Sequence, residues 1–253
     1  MKCTSEVERM TRDPLQLLLG VVSVDTLLAA LTIGFFWVGV SVMRGLGRPV
    51  TYSLSPLGFK KPESGYFSGV MLGLLAGLGV LAMNLLLVGP LSLYIFEKLG
   101  YSTERSVQGP LIQGLSGWTG EDPGLAIPVT LAVVVFFGPA VEELIFRGAL
   151  FGGLYRLGLF ISRRLGGKAT GERKEAGERA WFALSALFSS AIFALAHGEA
   201  VSVPVLFVLT LILCTLYRRT GSLLPCLVTH ATFNGFTVLI VILSGFGVLP
   251  API

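Results

Sequence analysis

The sequence is poor in charge for its length. Only 13% of its 253 residues are Asp, Glu, Lys or Arg, whereas soluble domains carry about 25%. Hydrophobic residues make up 53% of the chain, and the mean hydropathy is +0.78. This composition excludes a soluble globular domain. It predicts an all-α fold, a polytopic transmembrane helical bundle of about six to eight spans. We expect one membrane domain, residues 1–253, in a multi-pass protein of a prokaryotic cell membrane.

Other features are scarce or absent, and each absence disfavours a kind of site. The three cysteines, Cys3, Cys214 and Cys226, have no metal-ligand spacing and no evident pairing, so we expect free thiols. No basic stripe is interleaved with aromatic residues, so no nucleic-acid partner is expected. The chain lacks HExxH and GxSxG, which disfavours a helical zinc motif and a nucleophile such as Ser189 or Ser190.

Six apolar runs are candidates for crossing a bilayer, which takes about 20 residues per helix. They are Leu15–Met43, Gly65–Phe96, Ala126–Phe160, Trp181–Ala196, Val203–Tyr217 and Leu223–Leu249. The third run would form two spans if it were broken at Gly148, Gly152 or Gly153. Asp25 lies in the first run, and we expect its carboxylate near the membrane interface or facing another helix.

The segments between the runs differ in charge. Residues 44–61 contain four basic residues and no acid, and residues 163–179 form a predicted basic loop insert. Residues 97–122 carry two basic and four acidic residues. Because Lys and Arg concentrate in cytoplasmic loops, the first two segments are predicted to be cytoplasmic and the third external.

The stretch VEELIFRGAL, residues 141–150, places two glutamates and an arginine inside an apolar run. An unpaired charge at the centre of a spanning helix costs about 2.5 to 3.5 kcal/mol on insertion scales. Residues four apart share a helix face, so Glu143 and Arg147 are predicted to pair. Glu142 points away from that pair and is free for another role.

The only two histidines are His197, which ends FALAH, and His230, which opens HATFN inside the last apolar run. His230 and Asn234 share a helix face, and Phe193 packs beside His197. One hypothesis is a hydrolytic site: Glu142 is the general base, His197 orients water, and His230 and Asn234 bind the oxyanion. Alternatively, Glu142, His197 and His230 hold zinc with an open fourth position. A transport or proton-relay site and structural interhelical contacts also remain open.

Three short patches resemble one family. EELIFRG (142–148), FALAH (193–197) and HATFN (230–234) are similar, in form and order, to the EExxxR, FxxxH and HxxxN motifs of the CPBP intramembrane proteases. This family includes the CAAX prenyl endopeptidases of the Rce1 type and the bacterial Abi proteins. The resemblance predicts that residues 126–249 form a catalytic helical core.

The resemblance implies an intramembrane endopeptidase of glutamate type, a class often labelled as metalloproteases. Its catalytic residues would be Glu142, His197, His230 and Asn234. Its supporting residues would be Glu143, Arg147 and Phe193. No cofactor is expected, with Zn²⁺ as the alternative. The implied partners are the lipid bilayer and a membrane-anchored protein or peptide substrate, such as a prenylated C-a-a-X protein. A non-catalytic immunity protein or a transporter is the alternative function.

Overall fold

A computed structural model describes residues 13–101, 103, 108–165 and 171–250. Within these ranges the chain forms helices and short connections, with no β-strand. In the described part of the chain, six helices are long and apolar enough to cross a membrane. The predicted all-α polytopic bundle is therefore confirmed, and the protein is a multi-pass membrane protein.

The helices are labelled in chain order. Six are the candidate spans: α1 (Pro14–Gly45), α2 (Tyr66–Lys98), α4 (Pro123–Arg164), α5 (Glu172–Ala196), α6 (Ala200–Thr220) and α7 (Leu223–Gly245). A shorter helix, α3 (Gly109–Glu121), lies between α2 and α4 and was not predicted from the sequence. A 3₁₀ turn, Ser55–Leu57, lies between α1 and α2.

Local sequence signals account for several helix ends. Asp13 caps α1 by accepting hydrogen bonds from the backbone N–H groups of Leu15 and Gln16. At the junction of α6 and α7, Gly221 has φ 60°, a left-handed conformation that ends α6. The next residue, Ser222, caps α7 by accepting from the N–H of Leu224.

Helix α4 is distorted but not broken. The predicted break points Gly148, Gly152 and Gly153 all lie inside one continuous helical stretch, so this run forms one span. Two π-helical segments, Leu131–Phe137 and Leu144–Phe151, take up the distortion. A real break would leave backbone donors and acceptors unpaired at membrane depth, whereas a π-helical segment keeps them bonded.

The described part of residues 163–179, the predicted basic loop insert, is largely helical. Arg163 and Arg164 lie in the last turn of a helix, and residues 172–179 form the first turns of α5. Glutamate, lysine and arginine are good helix formers, and acidic residues in a first turn favour a helix start. An exposed Glu175–Arg179 pair, 3.5 Å apart and four residues along the helix, adds to this.

Helix α7, which carries His230 and Asn234, packs closely against α2. A Cβ added at Gly73 would lie 2.8 Å from the carbonyl oxygen of Pro225, and one at Gly77 would lie 2.6 Å from Cβ of Thr232. Thr229 also donates a hydrogen bond of 3.0 Å to the carbonyl of Gly73. Small residues on one face let the two backbones approach, which fixes the position of α7.

The two cysteines within the described ranges confirm one prediction. Cys214 and Cys226 are both buried and free. Cys3 lies outside the described residues.

Candidate active site

The segment of α4 between its two π-helical stretches carries Glu142 and Glu143. Glu143 is fully buried, and its Oε1 lies 3.1 Å from Nη1 of Arg147, which is also fully buried. The guanidinium of Arg147 lies 4.8 Å from the ring centroid of Phe193. The predicted Glu143–Arg147 pair is thus present, with an aromatic ring over the arginine. Glu142 is different, because its side chain is 30% exposed and faces a cavity.

His230 lies between the two glutamates. Its Nδ1 is 2.8 Å from Oε1 of Glu143, and its Nε2 is 3.5 Å from Oε2 of Glu142. Since Glu143 is an acceptor held by Arg147, Nδ1 of His230 is the donor in the first contact. Nε2 is then the ring nitrogen that faces Glu142. That Glu143 orients His230 was not predicted from the sequence, because this contact depends on how α7 packs against α4.

His197 terminates the FALAH patch at the end of α5. Its Nδ1 lies 2.8 Å from the carbonyl oxygen of Phe193. A carbonyl only accepts, so Nδ1 carries the proton and Nε2 keeps a lone pair. The ring of His197 also packs on that of Phe193, with centroids 4.6 Å apart, as predicted. His197 therefore offers an acceptor nitrogen, held by a backbone bond.

Asn234 is held by an irregular turn of α4. Its Nδ2 donates a hydrogen bond of 3.0 Å to the carbonyl oxygen of Val134. In this π-helical segment Gly138 donates to Val133, five residues back. The corresponding donor for Val134 would be residue 139, which is proline and has no N–H. The asparagine side chain fills that vacancy and keeps its second amide N–H for other partners.

All four predicted site residues line one cavity. Glu142, His197, His230 and Asn234 share a space of about 770 Å³ with residues of α1, α2, α6 and the α2–α3 connection. They reach this cavity from different positions along their helices: His197 lies at the end of α5, whereas Glu142 lies mid-way along α4.

Asp25 of α1 lines the same cavity. From the sequence it was placed at the membrane interface or against another helix. No hydrogen bond or ion pair to it is found in the described part of the chain. Asp25 is therefore a second carboxylate beside Glu142 that sequence reasoning did not join to the site. The sequence feature that pointed to Asp25 was its position as an acidic residue inside the first apolar run.

The two serines considered as nucleophiles do not join this group. Ser189 donates to the carbonyl of Phe146, and neither Ser189 nor Ser190 lines the cavity. In the described ranges, no three His, Cys, Asp or Glu side chains are arranged to hold a metal ion.

Fold and site together define a class: a polytopic helical membrane protein with glutamate, histidine and asparagine side chains on one internal cavity. Residues 124–236, which contain all three motifs, match the model of the type II CAAX prenyl endopeptidase Rce1-like family. The resemblance predicted from the motifs is confirmed for this part of the chain.

One curated relative supports the same assignment. The membrane-embedded CAAX protease MroQ of Staphylococcus aureus (strain USA300) is 31% identical over 118 residues, which are 47% of this chain and 41% of that protein. The match therefore spans about two fifths of the relative's length. No solved structure matches the chain.

Proposed function

We propose that this protein is an intramembrane endopeptidase that hydrolyses peptide bonds of membrane-anchored proteins or peptides with water activated by Glu142. The observation that carries the proposal is the shared cavity of Glu142, His197, His230 and Asn234. Support also comes from the Rce1-like match over residues 124–236 and from the name of the relative, a CAAX protease.

Glu142 acts as the general base. Its carboxylate faces the cavity, and in ionised form it only accepts protons and hydrogen bonds. It takes a proton from water as the water oxygen bonds to the substrate carbonyl carbon. His197, with its Nε2 lone pair, holds the same water in line. When the C–N bond breaks, the proton passes from Glu142 to the leaving nitrogen.

His230 and Asn234 bind the oxyanion. Because Nδ1 of His230 donates to Glu143, Nε2 can donate to the oxyanion only in the doubly protonated imidazolium, which the carboxylates of Glu142 and Glu143 favour. Asn234 has one amide N–H beyond its bond to Val134. Donors held in place before reaction stabilise developing charge at little reorganisation cost. Glu143 and Arg147 support the site, since Glu143 accepts the Nδ1 proton of His230 and so fixes the angle of its ring.

The decisive experiment compares Glu142→Gln with Glu97→Gln in detergent. Both changes remove one carboxylate, but Glu97 is exposed and lies outside the cavity. The assay follows cleavage of membrane proteins from the host, identified by mass spectrometry of new termini. We expect Glu142→Gln to abolish cleavage and Glu97→Gln to retain it. Full activity in Glu142→Gln would refute the mechanism.

A zinc mechanism is the rival within the same class. Active protein is assayed for bound metal and then treated with a chelator. Metal-free activity that survives the chelator supports the glutamate mechanism. Stoichiometric zinc, with activity lost on its removal, would overturn it.

A transporter or immunity protein is the rival from another class. It predicts that function in cells survives Glu142→Gln and that no new termini form with the wild-type protein. Either observation would remove the protease proposal.

A further inference from the structure

The two ends of the helical bundle carry opposite charge. At one end α1 finishes, α4 meets α5, and α6 meets α7; its basic residues include Arg44, Lys60, Lys61, Arg164, Arg218 and Arg219. Contacts tie these connections together: Ser222 donates to the carbonyl of Lys60 at 2.6 Å, and Arg156 donates to that of Pro56 at 2.8 Å. We call this the basic end.

The other end is acidic. It carries Glu97, Glu121, Asp122 and Glu199 at the outer ends of α2, α3 and α5. Contacts join these segments as well: Glu199 accepts from the backbone N–H of Gln108 at 2.8 Å, and Ser92 donates to the carbonyl of Val201 at 2.8 Å. By the positive-inside rule the basic end is cytoplasmic and this acidic end is extracytoplasmic.

The site cavity extends from Glu142 toward the acidic end. It is lined by Leu18 near the start of α1, by Gln108 between α2 and α3, by Ser202 at the start of α6, and by Val241 near the end of α7. All four positions lie at the extracytoplasmic ends of their segments. Within the described residues, no residue of the basic connections lines this cavity.

On the cytoplasmic side of the site, closely packed side chains and backbone of the described residues leave no opening to the cavity. Arg147 and Phe151 lie on the cytoplasmic side of Glu143 and His230, and both are fully buried. The 3₁₀ turn Ser55–Leu57 presses on the same part of α4, because a Cβ added at Gly148 would lie 2.5 Å from the carbonyl oxygen of Leu57. A smaller cavity of about 230 Å³ on this side reaches Phe151 and contains none of the four site residues.

We infer that the site receives its substrate from the extracytoplasmic side of the membrane. This rests on the proposed function and narrows its substrate class. The substrate is an apolar segment of a membrane-anchored protein or peptide whose scissile bond lies on the extracytoplasmic side. A prenylated C-terminus held at the cytoplasmic leaflet would meet the packed side of the site.

Cysteine labelling tests the side of access without any cleavage. Ser202→Cys and Thr237→Cys each place a thiol in the cavity wall, outside the proposed catalytic group. Cys3→Ser removes the native thiol outside the described residues, while Cys214 and Cys226 are buried. A membrane-impermeant maleimide is applied to right-side-out and to inverted membrane vesicles. The control is Arg173→Cys, an exposed position at the basic end.

We expect both cavity cysteines to react in right-side-out vesicles and to be protected in inverted ones, with Arg173→Cys showing the reverse. Cavity cysteines that react together with Arg173→Cys, on the same face, would overturn the inference. So would cavity cysteines that stay unreactive in both preparations while Arg173→Cys reacts.

A cleavage experiment separates this inference from the proposed function. Two single-span reporters carry the same apolar segment, one on the extracytoplasmic side of the span and one on the cytoplasmic side. In detergent we expect both to be cut, and in sealed membranes only the first. Absence of any cleavage in detergent counts against the protease proposal and leaves the labelling result intact. Cleavage of only the cytoplasmic reporter in sealed membranes would overturn the inferred side of access.

Discussion

Neutralising Glu143 should destabilise the protein far more than neutralising Glu142. The side chains of Glu143 and Arg147 are each only 1% exposed, and one oxygen–nitrogen contact of 3.1 Å joins them. Within the described residues, the Arg147 nitrogens have no well-aligned hydrogen-bond acceptor. Glu143→Gln therefore leaves a buried guanidinium with a ring face as its main favourable neighbour.

The expected size follows from the cost of breaking a buried pair on one side. Removing one partner costs about 3 to 5 kcal/mol, because the other charge stays buried without compensation. The contact of Arg147 with Phe193 is present before and after the change, so it offsets none of this loss. For a chain of this size, about 2 to 4 °C of Tm per kcal/mol converts the cost to a fall of roughly 6 to 20 °C.

The buried cysteines supply the assay. In a Cys3→Ser background, a thiol-reactive dye reports unfolding in detergent, since Cys214 and Cys226 become accessible only then. Glu142→Gln is the matched control, because its partly exposed side chain faces the cavity and its loss should leave Tm nearly unchanged.

A second variant tests the cause of the loss. Adding Arg147→Met to Glu143→Gln removes the stranded charge, so the double variant should be more stable than the sum of the two single losses predicts. A fall in Tm of under about 2 °C for Glu143→Gln, below the range expected for a buried pair, would refute the reasoning. Strict additivity in the double variant would do the same.

Three further predictions test the packing and the cavity. Gly148→Ala should destabilise by about 1 to 3 kcal/mol through overpacking against Leu57, whereas Gly153→Ala, with open space around it, should be neutral or slightly stabilising; equal Tm values would contradict this. Asn234→Ala should lower kcat about 100- to 1000-fold, and unchanged kcat would exclude an oxyanion role. Two peptides that differ only by Glu or Gln near the scissile bond test Asp25. Asp25→Asn should raise the ratio of Glu-peptide to Gln-peptide cleavage about three- to tenfold, and an unchanged ratio would exclude contact of Asp25 with substrate.

The sequence was informative where structure depends on short-range spacing. Run lengths located the six spans, because about 20 apolar residues cross a bilayer. The four-residue spacing of Glu143 and Arg147 predicted their ion pair, which the structure contains. Both inferences need only the geometry of a single helix.

The sequence was uninformative where tertiary packing or helix distortion decides. That His230 contacts both glutamates depends on how α7 crosses α4, which the sequence alone does not specify. The π-helical segments of α4 have no reliable sequence signal, so the bond from Asn234 to Val134 was not foreseen. In retrospect, Pro139 was a clue, because a proline within a helix always leaves one carbonyl without its backbone donor.

The three charges of residues 142–147 serve different purposes, which explains why they occur together in an apolar helix. Arg147 stabilises Glu143 in its buried ionised form, and Glu143 in turn fixes the imidazole of His230. Because Glu143 contacts Arg147 and His230, Glu142 remains as the carboxylate of α4 that faces the cavity. Under the proposed mechanism, a single glutamate in this helix would have to orient His230 and activate water at once. We propose that the two adjacent glutamates, which point about 100° apart, divide those tasks between the packed side and the open side of the site.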